Sequence, residues 1–184
     1  MGDLSTHFSK SEFRCECGCG KTYDVPNELI SKLESLYSLL DKCYGISKII
    51  VTSGFRCVAY GVKNGFCTAD KPDAHCKNLA VDIHVYDNKN QTVNPVIVAM
   101  TAEIVGFNGI GIMKNACHVD IRNNSNYYNS HWFGNETNGK SYNTFRDLSV
   151  FDFTTLKNAY EKIDNTVIAR FELDGKRYGI VRLD

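Results

Sequence analysis

"DAHCKNLAVDIHV", residues 73–85, places two histidines and two aspartates in thirteen positions. Its second half alternates apolar and polar residues with a period of two, the pattern of a strand that lays one face on a core. Val81, Ile83 and Val85 are expected to point inward, leaving Asp82 and His84 together on the other face. A carboxylate and an imidazole side by side, with His75 in the loop just ahead, are metal-ligand side chains beside what is otherwise a buried strand. "ACHVDIR", residues 116–122, repeats the pattern: Val119 and Ile121 inward, His118 and Asp120 outward. If these two strands are neighbours in one sheet, two histidines and two aspartates form a polar strip over which His75 can fold.

"HFSKSEF", residues 7–13, contains Ser9 followed three residues later by Glu12, a capping box for a short first helix. Leu29, Ile30, Leu33, Leu36, Leu39 and Leu40 keep helical spacing up to Gly45, and Pro26 sits where a first turn begins. Residues 26–43 are therefore expected to form an amphipathic helix with a core-facing stripe. "SKIIVTSGFR", residues 47–56, reads as a strand that breaks at Ser53 and Gly54. The segment 57–75 carries glycines, an Asn-Gly pair and a proline, so a loop is expected there. "VNPVIVAMTAEIVGF", residues 93–107, has the composition of a second helix, expected to end near Asn108 and Gly109. "GIGIM", residues 109–113, is then a short strand joined to "ACHVDIR" by a turn around Lys114 and Asn115. The layout is α+β, a small antiparallel sheet with flanking helices.

From about residue 149 the character changes. "TTLKNAYEKID", residues 154–164, reads as a helix. The last stretch, 166–184, reads as a hairpin whose Asp-Gly turn at 174–175 pairs Glu172 with Arg177, Phe171 with Tyr178 and Ala169 with Ile180. The expected organisation is a main domain over 1–148 and an extension over 149–184. A lone hairpin is marginal in water, so the extension is expected to pack on the main domain, on another subunit or on a further domain.

With 184 residues, 43% of them apolar, the chain can bury the core of one domain. Lysine plus arginine equals aspartate plus glutamate at 21 each, which removes the excess positive charge that attracts polyanions, and no nucleic-acid partner is expected. No apolar run reaches the roughly 18 residues that span a bilayer, so no membrane insertion is expected. Cys15, Cys17 and Cys19 in "CECGCG" alternate and fall on one side of an extended segment. A structural metal, one half of a disulfide cluster and free thiols all stay open for them. None of the eight cysteines forms Cys-x-x-Cys, which weakens a redox role.

Zinc is the natural occupant of the histidine and aspartate strip, because imidazole nitrogen and carboxylate oxygen are its usual non-sulfur ligands. His75, six intervening residues, Asp82 and a distant His118 in the setting "GIGIM…HVDIR", preceded by "TSGFR", resemble the zinc D,D- and L,D-peptidases of the M15 group. The opening "HFSKSEFRC" is also similar to the start of those domains, which trim peptidoglycan stem peptides. The resemblance implies a hedgehog/D-Ala-D-Ala peptidase-like fold, Zn2+ on His75, Asp82 and His118, and a peptidoglycan stem peptide as substrate. It implies that Arg56 binds a substrate carboxylate or supports the oxyanion, work that suits its planar fork.

Three positions depart from the family pattern Ser-x-His-x-x-Gly-x-Ala-x-Asp and its sequel. Asp73 stands for the serine and Asn78 for the glycine, and asparagine best tolerates the left-handed backbone that glycine would supply. Asn115 stands where many members carry a glutamate as general base, and an amide takes no proton at neutral pH. Asp120, two strand residues from His118, is then the expected base toward a metal-activated water. His84 is expected as a partner or proton donor near the substrate. Trp132 is expected to touch the substrate, and His131 to border the cleft.

The expected function is that of a zinc metallopeptidase cleaving peptidoglycan stem peptides as a cell-wall lysin. The N-terminal "MGDLSTHFSKSEF" lacks the basic-then-apolar pattern of a secretory signal, so the expectation is synthesis in the cytoplasm and action at the bacterial wall after a phage-type release. The alternative is a catalytically silent zinc-containing binding module of the same fold, as related hedgehog domains show can arise on this scaffold, and Asn115 keeps it in play.

Overall fold

The structure, a computed structural model, describes residues 2–21, 23–123 and 130–134, together with the strand backbones at 141–142, 170–173 and 176–179. It begins with a 3-10 turn, Lys10–Phe13, capped as the spacing of Ser9 and Glu12 predicts. The Ser9 N–H donates to Glu12 Oε2 at 2.7 Å, and the Glu12 N–H returns to the Ser9 carbonyl at 3.1 Å.

Helix α1, Asn27–Tyr44, follows with Pro26 at its N-cap. Leu29, Leu33, Leu36 and Leu40 are all buried and make one stripe. Full burial of each such side chain contributes about 1.5–3 kcal/mol of apolar transfer energy, which fastens α1 to the sheet. Gly45, at φ 65, ends the helix with its N–H on the Asp41 carbonyl.

Strands β1 (Ile46–Ser53), β2 (Ala80–Asp87), β3 (Gly109–Ile112), β4 (Cys117–Asp120), β5 (His131–Phe133) and β6 (Ser141–Tyr142) form one sheet in the order β1-β2-β4-β3-β5-β6. All neighbours are antiparallel except β3 and β5, which run parallel. The core lies where α1 and helix α3 (Pro95–Val105) meet the apolar face of this sheet, with Val81, Ile83, Val85, Ile110, Ile112 and Val119 fully buried. The expected α+β layout is therefore the one observed. No described helix is long and apolar enough to cross a membrane.

Two expectations fail locally. The segment 57–75 contains a short helix, α2 (Val58–Lys63), where a loop is expected. Its interior glycine, Gly61, argues against a helix on propensity, but tertiary packing requires it: a Cβ there would lie 2.7 Å from Cys67 Sγ and 3.0 Å from Cys76 Sγ. Helix α3 ends at Gly106 and not near Asn108 and Gly109. Gly106 takes φ 91, its N–H reaches the Ala102 and Glu103 carbonyls, and the turn lets Phe107 enter the core.

Strands β7 (Arg170–Leu173) and β8 (Lys176–Gly179) form a separate antiparallel pair with Glu172 opposite Arg177 and Phe171 opposite Tyr178. The expected helix over 154–164, the turn at 174–175 and the pairing of Ala169 with Ile180 lie outside the described residues.

Candidate metal centre

Strands β2 and β4 are neighbours, with Asp82 opposite His118 and Ala80 opposite Asp120. That register merges the polar faces of two alternating strands into one layer. On the far side of β4, β3 contributes no side chain at the matching positions, because Gly109 opposes Asp120 and Gly111 opposes His118. A Cβ on Gly109 would collide with the Asp120 carboxylate, and one on Gly111 would sit 2.6 Å from Trp132 Cε2. The Gly-x-Gly of β3 thus makes the space in which His118, Asp120 and Trp132 pack.

Three donor atoms converge beside this layer. His75 Nε2 lies 3.2 Å from His118 Nδ1 and 3.3 Å from Asp82 Oδ1, and those last two atoms are 2.9 Å apart. A tetrahedral zinc with bonds of about 2.0–2.1 Å needs its donors about 3.3 Å apart, so the triangle has the size of one face of a zinc site. Two imidazoles and a carboxylate are also a donor set that zinc prefers.

The remaining polar atom of each candidate ligand is already committed. His75 Nδ1 faces the Gly54 carbonyl at 2.8 Å, His118 Nε2 faces Asp120 Oδ2 at 2.9 Å, and Asp82 Oδ2 accepts from Arg56 Nη2 at 2.8 Å. With those two ring N–H groups donating outward, His75 Nε2 and His118 Nδ1 are the ring nitrogens left facing a common point, and His118 Nδ1 offers its lone pair there once its proton is displaced.

Charge follows the same plan. Burial disfavours an ionised Asp82, but hydrogen bonds and charge from His118 and His75 outweigh it and hold the carboxyl far below the usual range. Burial also disfavours an imidazolium at His118, yet Asp120 and Asp82 together raise its pKa to about 9. At Asp120 burial is again overcome, here by His118 and Arg122, and its carboxyl is held low. The cluster favours a positive charge at its centre.

Arg56 lies beside the triangle. Besides its bond to Asp82, its Nη1 lies 3.5 Å from Asp73 Oδ2 and its guanidinium stands 4.5 Å over the Phe66 ring. Asn78 takes φ 59, the left-handed backbone of the glycine it replaces.

Other residues occupy different posts from those expected. Asp120 has no exposure, and it stands behind His118, on the opposite side of that ring from the three converging donors. Its Oδ2 also accepts from Arg122 Nε at 2.7 Å and pairs with Nη2 at 2.6 Å, while Oδ1 accepts from the Arg122 N–H at 3.0 Å. Both oxygens are therefore engaged, and the geometry sets Asp120 against the ligand ring where a base toward the water is expected. Trp132 is 3% exposed and packs its ring 5.1 Å from that of His118, so it backs the ligand and presents little surface to a substrate. His84 shares Asp82's side of β2, but its contact is the Tyr86 hydroxyl at 3.5 Å. His131 turns to the opposite face of β5, where its Nε2 lies 3.8 Å from Glu103 Oε1 on α3. Asn115 is exposed in the bend between β3 and β4.

Three contributors escape a reading of the sequence: the Gly54 carbonyl, Asp73 and Arg122. Arg122 carries a signal, since it continues the alternation of His118 and Asp120 along the strand. A backbone carbonyl has no side-chain signature, and Asp73 meets Arg56 only through the fold of its loop.

A family model described as Peptidase M15 matches residues 6–121, a span that contains Arg56, His75, Asp82, His118 and Asp120. No curated protein and no solved structure matches the chain.

Proposed function

The chain belongs to the peptidase M15 family, zinc-dependent metallopeptidases, and on that premise we propose that it cleaves peptidoglycan stem peptides at a D,D- or L,D-bond, as a cell-wall lysin. The observation that carries the reading is the triangle of His75, Asp82 and His118 with the Arg56 guanidinium bound to its carboxylate corner. Stem peptides present free carboxylates, which Arg56 suits, and the motifs around the triangle are similar to those of wall peptidases.

Zinc held on these three residues supplies Lewis acidity, which polarises a carbonyl and makes water acidic enough to attack near neutral pH. The chain's own residues prepare that chemistry. The Gly54 carbonyl keeps a proton on His75 Nδ1, and Asp120 keeps one on His118 Nε2, so both rings offer lone pairs inward. Arg122 holds Asp120 in its ionised form and in place. Asp120 is thus a positioning residue in this reading.

Arg56 has two tasks. Its Nη2 fixes Asp82 Oδ2 and leaves Oδ1 for the metal, while Nη1 makes only a long contact with Asp73. A substrate carboxylate can replace that contact with a closer, charge-assisted one. Trp132 shields the back of the His118 ring from water.

Mass spectrometry of peptidoglycan fragments, after incubation with zinc-loaded protein and beside a chelated control, tests the proposal. New stem-peptide fragments, absent from the control, are expected, and their masses identify the bond. Unchanged fragments across several wall chemotypes would remove the wall peptide as substrate. One observation favours a second reading, a catalytically silent zinc-containing binding module. Asn115 is exposed in its turn, and Asp120 is engaged behind His118, so neither supplies a free carboxylate beside the triangle. Such a module would retain wall peptides and release no fragments.

A further inference from the structure

A second group of ligand-type side chains lies apart from the triangle. Cys15, Cys17, Cys19 and Cys57 bring their sulfurs within 4.8 Å of one another. We propose that these four cysteines bind a structural zinc that staples the N-terminal segment to the loop carrying Arg56.

The sulfur geometry fits. Cys17 Sγ lies 3.2 Å from Cys15 Sγ and 3.5 Å from Cys57 Sγ. Zinc with four thiolates at about 2.3 Å has its sulfurs about 3.8 Å apart; the two closest separations fall a few tenths of an ångström short of that value, and all four sulfurs lie within 4.8 Å of one another. A disulfide instead draws two sulfurs to about 2.05 Å and leaves the others aside, whereas here Cys17 stands close to two partners at once. All four are free thiols.

The backbone prepares the convergence. Gly18 at φ 77 takes the left-handed conformation between Cys17 and Cys19, turning the segment so that Cys15, Cys17 and Cys19 reach one point, and Gly20 at φ 65 redirects the chain beyond them. The fourth comes from the far end of β1, at the N-cap of α2. The Cys57 N–H donates to Cys15 Sγ at 3.3 Å, a bond that favours a thiolate. A zinc with four thiolates carries a double negative charge, and Lys21 and Lys77 line the cleft that Cys19 and Cys57 share. Cys17 and Cys19 are exposed, so without a metal this surface would hold clustered, oxidisable thiols.

The consequence reaches the first site. The Phe55 N–H donates to the Phe13 carbonyl at 2.9 Å, and Gly54 packs so tightly that a Cβ there would lie 2.5 Å from Phe13 Cα. The same four-residue loop, 54–57, supplies the carbonyl that orients His75, the guanidinium that holds Asp82 and the cysteine at the second zinc. A metal on the four sulfurs fixes that loop at its end.

The test is metal analysis of the full-length chain purified with zinc, joined to cobalt substitution. About two zinc ions per chain are expected. The cobalt form should show a sulfur-to-metal charge-transfer band, which a site of two histidines and an aspartate cannot produce. His118→Ala should lose one metal and keep the band, while Cys57→Ser should lose one metal and the band. Should Cys57→Ser fail to fold, the cobalt spectrum of the unaltered protein decides. One zinc per chain with no sulfur band, or an intact mass showing disulfides among these cysteines, would overturn the inference. The band does not depend on turnover, so its absence and the absence of peptide cleavage are separate failures.

Discussion

His118 is held between two carboxylates: its Nε2 lies 2.9 Å from Asp120 Oδ2 and its Nδ1 lies 2.9 Å from Asp82 Oδ1. One carboxylate is a candidate ligand beside the ring, and the other faces the nitrogen on the ring's far edge, where it would hold a proton. Behind it, Arg122 closes the chain of contacts on Asp120.

Asp120→Asn separates positioning from proton transfer. Loss of such a partner lowers metal affinity by about 10–100-fold. Cleavage by the variant should therefore recover as zinc is raised, and a zinc titration read by fragment release checks this. A variant that holds zinc like the parent and stays inactive at every zinc concentration would make Asp120 the base after all.

Arg56→Lys keeps the charge but not the planar fork that spans Asp82 and Asp73. A hydrogen bond between charged groups is worth about 1.5–3 kcal/mol, so kcat/KM on a stem peptide should fall roughly ten- to hundredfold. Steady-state kinetics at saturating zinc measures it. An unchanged kcat/KM would take Arg56 out of substrate binding.

Gly111→Ala tests the layer behind the ligands. The added carbon meets Trp132 at 2.6 Å, and that ring packs 5.1 Å from the ring of His118. Overpacking of this kind costs about 1–3 kcal/mol, and zinc affinity should fall with it. Urea melts with and without zinc give both numbers. A midpoint equal to the parent's would mean that Trp132 is free to shift.

Much of this site was legible because strand alternation is a strict rule: once "AVDIHV" and "CHVDIR" are read as strands, His118 and Asp120 share a face, and Asp82 joins them when the two strands pair in register. The amphipathic α1 was legible for the same kind of reason, its leucines marking a stripe. What escaped depends on contacts distant in sequence. Helix α2 contains Gly61, a residue that reads as a helix breaker, because two cysteine sulfurs packed there leave no room for a larger side chain. The "VGFNG" stretch offers two glycines as helix stops, and burial of Phe107 selects the first. Asp120's role could not be read from its spacing, since alternation gives the face and not which side of the neighbouring ring a carboxylate takes. Cys57 joins three cysteines far away in sequence, and no spacing motif announces it.

The pH dependence of the chelated protein follows from the charges on the triangle. His118 rises from 6.5 to about 9, so the stability it contributes is fully present below about pH 6.5 and is lost as pH rises through about 9. Asp82 and Asp120 are depressed from 3.8, so their contribution is present above that value and is lost as pH falls through their lowered values. The chelated chain should be most stable between about pH 4 and pH 6.5, as urea melts across pH would show. Zinc must displace the His118 proton, so affinity should climb with pH up to about 9, with proton release visible by calorimetry in buffers of different ionisation heat. Affinity that stays flat between about pH 6 and pH 8 would contradict the assignment of His118 as a ligand.

The most direct measurement returns zinc stepwise to chelated parent protein and to Asp82→Ala while stem-peptide fragments are counted by mass spectrometry. Fragment release that grows with zinc in the parent and stays absent in Asp82→Ala is the predicted result. Release that survives chelation, or an Asp82→Ala variant as active as the parent, would contradict a zinc peptidase built on His75, Asp82 and His118.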